Sequence, residues 1–219
     1  MGNGMIKYHK INSIFKRNRK TGKFIMDEFA QPEFEYLQDN EWTFTEKVDG
    51  MNIRLGWSSA DPGVVHIGGR SDNAQLPVPL FEYLGDTFTP ERMDATFLRR
   101  ASNGTVITLF GEGYGRKIQK VGSSYLPDSV GFILFDVLVG NWWLEREAVN
   151  GIAASLGVPV VANFATGSLW KAIEYVKAAP KSIIGDCVME GLVLRPVVEM
   201  YNRGRNRIIT KVKVKDFAS

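Results

Sequence analysis

The chain alternates and repeats apolar positions in a way that marks out most of its elements. Trp42-Thr43-Phe44-Thr45 is a β-rich run, and Asn52-Ile53-Arg54-Leu55-Gly56-Trp57 alternates polar and apolar positions. Asp49-Gly50 lies between them as a turn pair, so the three pieces predict a hairpin. Val64 to Ile67 predicts a short strand ending at Gly68-Gly69. Thr105 to Phe110 predicts another, stopped by the glycine-rich Gly111 to Gly115. Val130 to Val139, Gly191 to Arg195 and Arg207 to Val214 complete the strands. Helices are predicted over 79–86 and 91–101, the second with a stripe of Met93, Phe97 and Leu98. Val149, Ile152, Ala153 and Leu156 recur at helical spacing over 145–156 and stop at Gly157 and Pro159. Leu169, Ala172, Ile173 and Val176 repeat that spacing over 168–179, before Pro180. Residues 5–41 show no clear period. Strands dominate without regular βαβ alternation, which predicts an α+β fold with mainly antiparallel sheet.

Composition narrows the chemistry. A chain of 219 residues, 44% hydrophobic, can bury a sizeable core. It has no apolar run of membrane-spanning length and no N-terminal signal pattern. One cysteine, Cys187, excludes an internal disulfide and fits a cytoplasmic protein, and two histidines are too few for a typical zinc site. A bound metal would be a hard ion on carboxylates and phosphate oxygens. The net charge is only +3, but the cations cluster at Lys7 to Lys23, at Arg116, Lys117 and Lys120, and at Arg203 to Lys215. Such clusters suit a polyanion or form a solvated face.

Several residues then stand out. Lys47, near a strand end, is either a nucleophile or a solvated hairpin lysine. In the last strand Lys211, Lys213 and Lys215 alternate with Val212 and Val214. That row of ammonium groups meets phosphates, or it protects a sheet edge. Glu112, between glycines past a strand end, and Glu190, at a strand start, suit a ribose hydroxyl or Mg²⁺, or are ordinary turn carboxylates. Phe132 either stacks on a base or belongs to the core. No phosphate loop of the GxxxxGK type and no strand-GxGxxG-helix unit is present.

Taken in order, these pieces resemble the covalent nucleotidyltransferases: RNA ligases, DNA ligases and mRNA capping enzymes. Lys47-Val48-Asp49-Gly50 resembles the nucleophile motif and Gly69-Arg70-Ser71 the arginine motif. Phe110-Gly111-Glu112-Gly113, Phe132 to Val137, Glu190 to Arg195 and Lys211-Val212-Lys213 are similar to the motifs that follow. Asn52, five residues after the lysine, is similar to RNA ligases of the nick-sealing RNA ligase 2 type, and the run as a whole resembles small bacteriophage RNA ligases.

The resemblance implies a nucleotidyltransferase (ATP-grasp-like) fold. It implies one adenylyltransferase domain over residues 1–219, without a C-terminal accessory domain, acting as a monomer in the cytoplasm, the host's if the chain is phage-encoded. Lys47 would attack ATP and carry AMP as a lysyl-AMP intermediate. AMP would pass to an RNA 5′-phosphate, and a 3′-hydroxyl, possibly at a nick in a duplex, would displace it. Mg²⁺ or Mn²⁺ would assist, held by Glu112 and Glu190. Glu46 and Phe132 would contact adenine, Glu112 the ribose, and Asn52 and Arg70 the phosphate or 3′-hydroxyl end. Lysine is almost wholly protonated at neutral pH, so Lys211, Lys213 and the metal are expected to supply the positive charge that activates it. Arg54, Arg116, Lys117 and Lys120 are candidate RNA phosphate contacts. DNA nick ligase, capping guanylyltransferase and a catalytically inactive nucleic-acid-binding module are the alternatives.

Overall fold

The computed structural model describes residues 5–99, 101–102 and 104–217, and among these described residues are twelve strands and six helices. The strands are β1 (Asn12–Ser13), β2 (Phe15–Arg17), β3 (Phe24–Phe29), β4 (Trp42–Glu46), β5 (Met51–Ser58), β6 (Val65–Gly69), β7 (Val106–Gly115), β8 (Val130–Val139), β9 (Trp142–Trp143), β10 (Asn163–Gly167), β11 (Gly191–Pro196) and β12 (Thr210–Lys213). The helices are α1 (Pro32–Tyr36), α2 (Val78–Thr87), α3 (Pro90–Phe97), α4 (Gly122–Tyr125), α5 (Arg146–Leu156) and α6 (Leu169–Lys177). The chain divides into two compact units, one of residues to Tyr8 with Asp49–Val161, the other of His9–Val48 with Ala162–Ser219.

The first unit is built on a sheet of order β6-β5-β7-β8-β9, antiparallel throughout. One face carries Ile53, Leu55, Leu109, Phe132 and Leu134, which share a core with Leu80 and Leu84 of α2 and Val149, Ile152, Ala153 and Leu156 of α5. The α5 stripe is the one its spacing predicts, and Gly157 closes the helix with φ 63°. The opposite face is covered by the N-terminal segment: Tyr8 packs on Phe110, Phe135 and Trp143 and donates to Asp136 at 2.5 Å.

The second unit has a sheet of order β1-β12-β11-β4-β10, all antiparallel except β1 with β12, and a separate β2–β3 hairpin. Trp42, Phe44, Leu192, Leu194 and Val212 form its core with Leu169, Ala172, Ile173 and Val176 of α6, again at the predicted spacing. The Ser168 hydroxyl caps α6 by accepting from the Lys171 backbone N–H at 3.2 Å.

Several expectations are corrected here. The strands flanking Lys47 do not form a hairpin, because β4 pairs with β10 and β11 while β5 pairs with β6 and β7. Gly50 therefore serves close approach rather than a turn: a Cβ there would meet the Gly113 carbonyl oxygen at 2.3 Å. The glycines at 111–115 do not stop β7 but carry it on, since a Cβ at Gly111 would strike the Phe132 ring at 2.1 Å. Residues 5–41, which the sequence marks as short elements without a clear period, hold three short strands and a five-residue helix; the register shift in the β2–β3 pair and Asp27 at φ 65° hide their period. The last strand is only Thr210–Lys213 and lies inside its sheet, which removes the edge-strand reading; Lys215 sits in the 3₁₀ turn Val214–Asp216, off the lysine row. The helix predicted to Ala101 ends at Phe97, and position 100 lies outside the described residues.

Arg54 was expected to reach RNA phosphates and is instead wholly buried. Its guanidinium donates to the carbonyls of Gly69 at 2.7 Å and Met5 at 3.2 Å and pairs with Asp72 at 2.8 Å. That guanidinium holds the Asp72 carboxyl below the usual carboxylate range. Alternation along β5 marks Arg54 as outward-facing, but the N-terminal segment covers that face. Arg54→Met is expected to destabilise the protein by about 2–4 kcal/mol, through two abandoned carbonyls and lost packing, as read by denaturant unfolding. A change below about 0.5 kcal/mol would contradict the buried role.

Candidate active site around Lys47

Three strands of the second unit bring its chemistry together. Pairing of β11 with β4 sets Leu192 opposite Glu46, and the Lys47 backbone N–H continues the ladder to the Gly191 carbonyl at 2.9 Å. Pairing of β11 with β12 sets Gly191 opposite Lys213 and Val193 opposite Lys211. Lys47, Gly191 and Lys213 thus form one row across the sheet, on the face away from Trp42, Phe44 and Val212. Gly191 contributes no side chain to that row, and none fits: a Cβ would meet the Val212 carbonyl oxygen at 2.1 Å and Lys213 Cα at 2.6 Å.

The Glu190 carboxylate fills the gap. Its Oε2 accepts from Lys47 Nζ at 2.7 Å, and its Oε1 accepts from Lys213 Nζ. The side chains of Lys47, Glu190 and Lys213 are 23%, 14% and 19% exposed, so the cluster is sheltered but reachable from solvent. It contains two ammonium groups and one carboxylate, a surplus of one positive charge aimed at the open face. The sequence reading assigned Glu190 to metal placement and did not foresee its bond to Lys47. Only the strand register reveals that bond, since 143 residues separate the two in sequence. Lys211 lies one row further on, half-buried on β12 beside Ser13 of β1.

Glu46 is buried, and its Oε2 accepts the Ile183 backbone N–H at 2.8 Å. Burial pushes its carboxyl above the ordinary glutamate range, against the hydrogen bonds from Ser182 and Ile183. Between the ordinary and the raised value the folded state binds more protons than the unfolded state, so this group makes stability fall as pH rises through that window. Glu46→Gln lacks this dependence. The wild type is therefore expected to lose stability relative to Glu46→Gln as pH rises from the ordinary glutamate range through the raised one, measured by denaturant unfolding. Parallel pH curves would contradict it.

The remaining candidates lie in the first unit. Asn52 and Glu112 are directly opposite one another on β5 and β7. Glu112 is thus in mid-strand rather than past a strand end. The Asn52 Oδ1 is buried and accepts no hydrogen bond among the described residues. Phe132 is fully buried and lies edge-on to Phe88 at 5.1 Å, so it offers no ring face to adenine and is a core residue. Arg70, Arg116, Lys117 and Lys120 are exposed. Arg116 and Lys117 border a cavity of about 550 Å³ with Pro77, Pro79, Tyr83 and Ile118.

Among the described residues no three His, Cys, Asp or Glu side chains gather into a metal-binding group. Glu190 fits a hard divalent ion bound through one carboxylate with water and phosphate oxygens, as Mg²⁺ commonly is. No helix among the described residues is long and apolar enough to cross a membrane.

Comparison with known proteins gives the family and the fold. The RNA ligase family model matches residues 40–213. A Naegleria gruberi RNA ligase mutant with ATP and Mn superposes with a TM-score of 0.60 at 17% identity, over 84% of this chain and 54% of that one. The N. gruberi RNA ligase with PPi gives 0.59 at 18%, over 83% and 52%. An archaeal ATP-dependent RNA ligase gives 0.61 at 15%, over 96% and 49%. The chain thus spans about half the length of these structures and shares their fold. No curated protein matches it.

Proposed function

The chain belongs to the RNA ligase family, and we propose that it is an ATP-dependent RNA ligase whose nucleophile is Lys47. The observation that carries this reading is the Lys47–Glu190–Lys213 row. An amine on an open sheet face, bonded to a carboxylate and near a second ammonium, suits attack on a phosphate ester.

In the first step the Lys47 ammonium gives up two protons: one passes to solvent or to the departing pyrophosphate as Nζ bonds to the α-phosphorus of ATP and the bond to pyrophosphate breaks, and the other leaves beforehand to free the lone pair. Glu190 Oε2, already accepting from Nζ, is placed to receive that proton. Lys213, freed from Glu190 as the carboxylate takes the proton, presents its charge to the phosphate oxygens. In the second step an oxygen of the RNA 5′-phosphate attacks the adenylyl phosphorus, the P–N bond breaks and the amine regains its two protons, one of them from Glu190. In the third a 3′-hydroxyl attacks the activated 5′-phosphate, AMP leaves and the strands are joined. Mg²⁺ or Mn²⁺, held by phosphate oxygens and water and reached by Glu190 only through water while that carboxylate is engaged with the two lysines, would neutralise charge on the departing pyrophosphate.

Further roles are proposed on the motif resemblance: Glu46 toward adenine, Glu112 toward the ribose or metal, and Asn52 and Arg70 toward the phosphate or 3′-hydroxyl end. The orphaned Asn52 Oδ1 supports a contact to a ligand donor. Arg116, Lys117 and Lys120, all exposed, remain proposed RNA contacts. A cytoplasmic, monomeric protein acting on nicked or free RNA ends completes the reading.

Incubation with α-labelled ATP and, separately, GTP tests it, followed by addition of 5′-phosphorylated RNA with 3′-hydroxyl ends. Label from ATP and joined RNA are expected. Label from GTP alone would assign a capping guanylyltransferase, sealing of DNA nicks alone a DNA ligase, and absence of any acid-stable adduct a binding module.

A further inference from the structure

We propose that the β2–β3 hairpin is a phosphate-binding finger for the RNA backbone, with Arg19, Lys20 and Lys23 as its contacts. This rests on the RNA-ligase reading and names a binding surface apart from the Lys47 row.

Residues 16–23 carry five cations and no acid. Two of the five are engaged. Lys16 meets Glu28 at 3.5 Å in an exposed pair. Arg17 lies over the Phe24 ring at 4.4 Å and donates to Asp216 Oδ1 at 2.7 Å. Arg19, Lys20 and Lys23 are exposed and form no ion pair among the described residues.

The tip is built rather than loose. Asn18 Oδ1 accepts from the backbone N–H groups of Lys20 at 2.9 Å and Thr21 at 3.2 Å. The Asn18 carbonyl accepts from Gly22 at 2.8 Å, and Asn18 N–H donates to the Lys23 carbonyl at 2.9 Å. At its root Phe15 packs on Phe24, Phe29 and Trp170. Three cations are thereby displayed at fixed positions, which lowers the ordering cost of meeting successive phosphates.

The hairpin is also tied to the lysine-bearing strand. β1, paired with β12 beside Lys211, runs directly into it. Asp216, only 2% exposed, accepts from Arg17 through Oδ1 and from the Lys213 backbone N–H through Oδ2 at 3.0 Å. A phosphate chain gripped by the finger is held by the same framework that positions Lys213. The display holds no acid across residues 16–23, which suits the uniformly anionic backbone of a polynucleotide, one charge per nucleotide.

The test compares wild type, the triple variant Arg19→Ser/Lys20→Ser/Lys23→Ser, and a control, Lys171→Gln/Lys177→Gln/Lys181→Gln, which removes three cations on and after α6. Binding to single-stranded RNA is measured across salt, and lysine adenylylation without RNA is measured in the same samples. The finger variant is expected to bind on the order of 10- to 100-fold more weakly at low salt, with a log–log salt slope shallower by about 2, as three lost phosphate contacts require. Its adenylylation and melting temperature stay at wild-type values, and the control keeps the wild-type slope. An unchanged slope in the finger variant, or an equal loss in the control, would overturn the proposal. So would wild-type binding to phosphatidylserine vesicles that the finger variant loses while keeping its RNA affinity. Failure of wild-type adenylylation would strike the ligase reading instead, and is read independently.

Discussion

Lys47→Ala is expected to abolish transfer of label from ATP to the protein, a fall on the order of 10⁴-fold or more. No neighbour can replace it. Lys213 stands two strands across the sheet, its ammonium held by the same carboxylate, and Lys211 lies a row beyond. Lys47→Arg is expected to fail as well, although it keeps the charge and the bond to Glu190, because a guanidinium does not surrender its proton at working pH. This pair of variants separates a nucleophile from a phosphate contact: a contact would tolerate arginine and lose about tenfold with alanine. Lys47→Arg at near-wild-type rate would end the nucleophile assignment. Both variants should fold, since the lysine side chain lies on the open face and the ladder bond at this position is made by the backbone.

Glu190→Gln is expected to slow adenylylation by about 10²–10⁴-fold. The amide keeps an oxygen that accepts from one lysine but cannot take a proton, and its NH₂ group faces the other ammonium. The loss should appear chiefly in the rate at saturating ATP, and the rate should rise more steeply with pH than in wild type as solvent base replaces the missing carboxylate. Retention of the wild-type rate and pH profile would show Glu190 to be a structural tie between β4 and β12. Folding can be checked through the melting temperature, which an exchange at a 14% exposed side chain moves only modestly.

Much of this site was legible in the residues, and the limits are physical. The α5 and α6 stripes are read at once because helical spacing is local, and the glycine and serine that bound them act within a turn. The lysine row of β12 was legible for the same reason, except Lys215, which leaves the strand when the backbone tightens into a 3₁₀ turn. What pattern could not show is coverage by distant chain. The alternation around Arg54 is that of a half-exposed strand, and nothing near it reveals that residues 5–8 return to cover it. Phe132 failed for a related reason: an aromatic before an aspartate reads alike whether its ring meets a ligand or fills the space left by Gly111. The hairpin expected around Lys47 was a register error of larger scale. Asp49-Gly50 is a good turn signal, but the strands on its two sides find partners in different sheets. That passage between sheets leaves Lys47 at the end of β4, where it meets Glu190 instead of a hairpin neighbour.

The central claim is that the amine at position 47 becomes covalently adenylylated. It is tested most directly by intact mass after incubation with ATP and Mg²⁺, followed by peptide mapping of the adduct. The account predicts a gain of one adenylyl group, borne by the peptide containing Lys47 and absent from Lys47→Ala. No mass gain, or an adduct that maps to another residue and survives in Lys47→Ala, would contradict it.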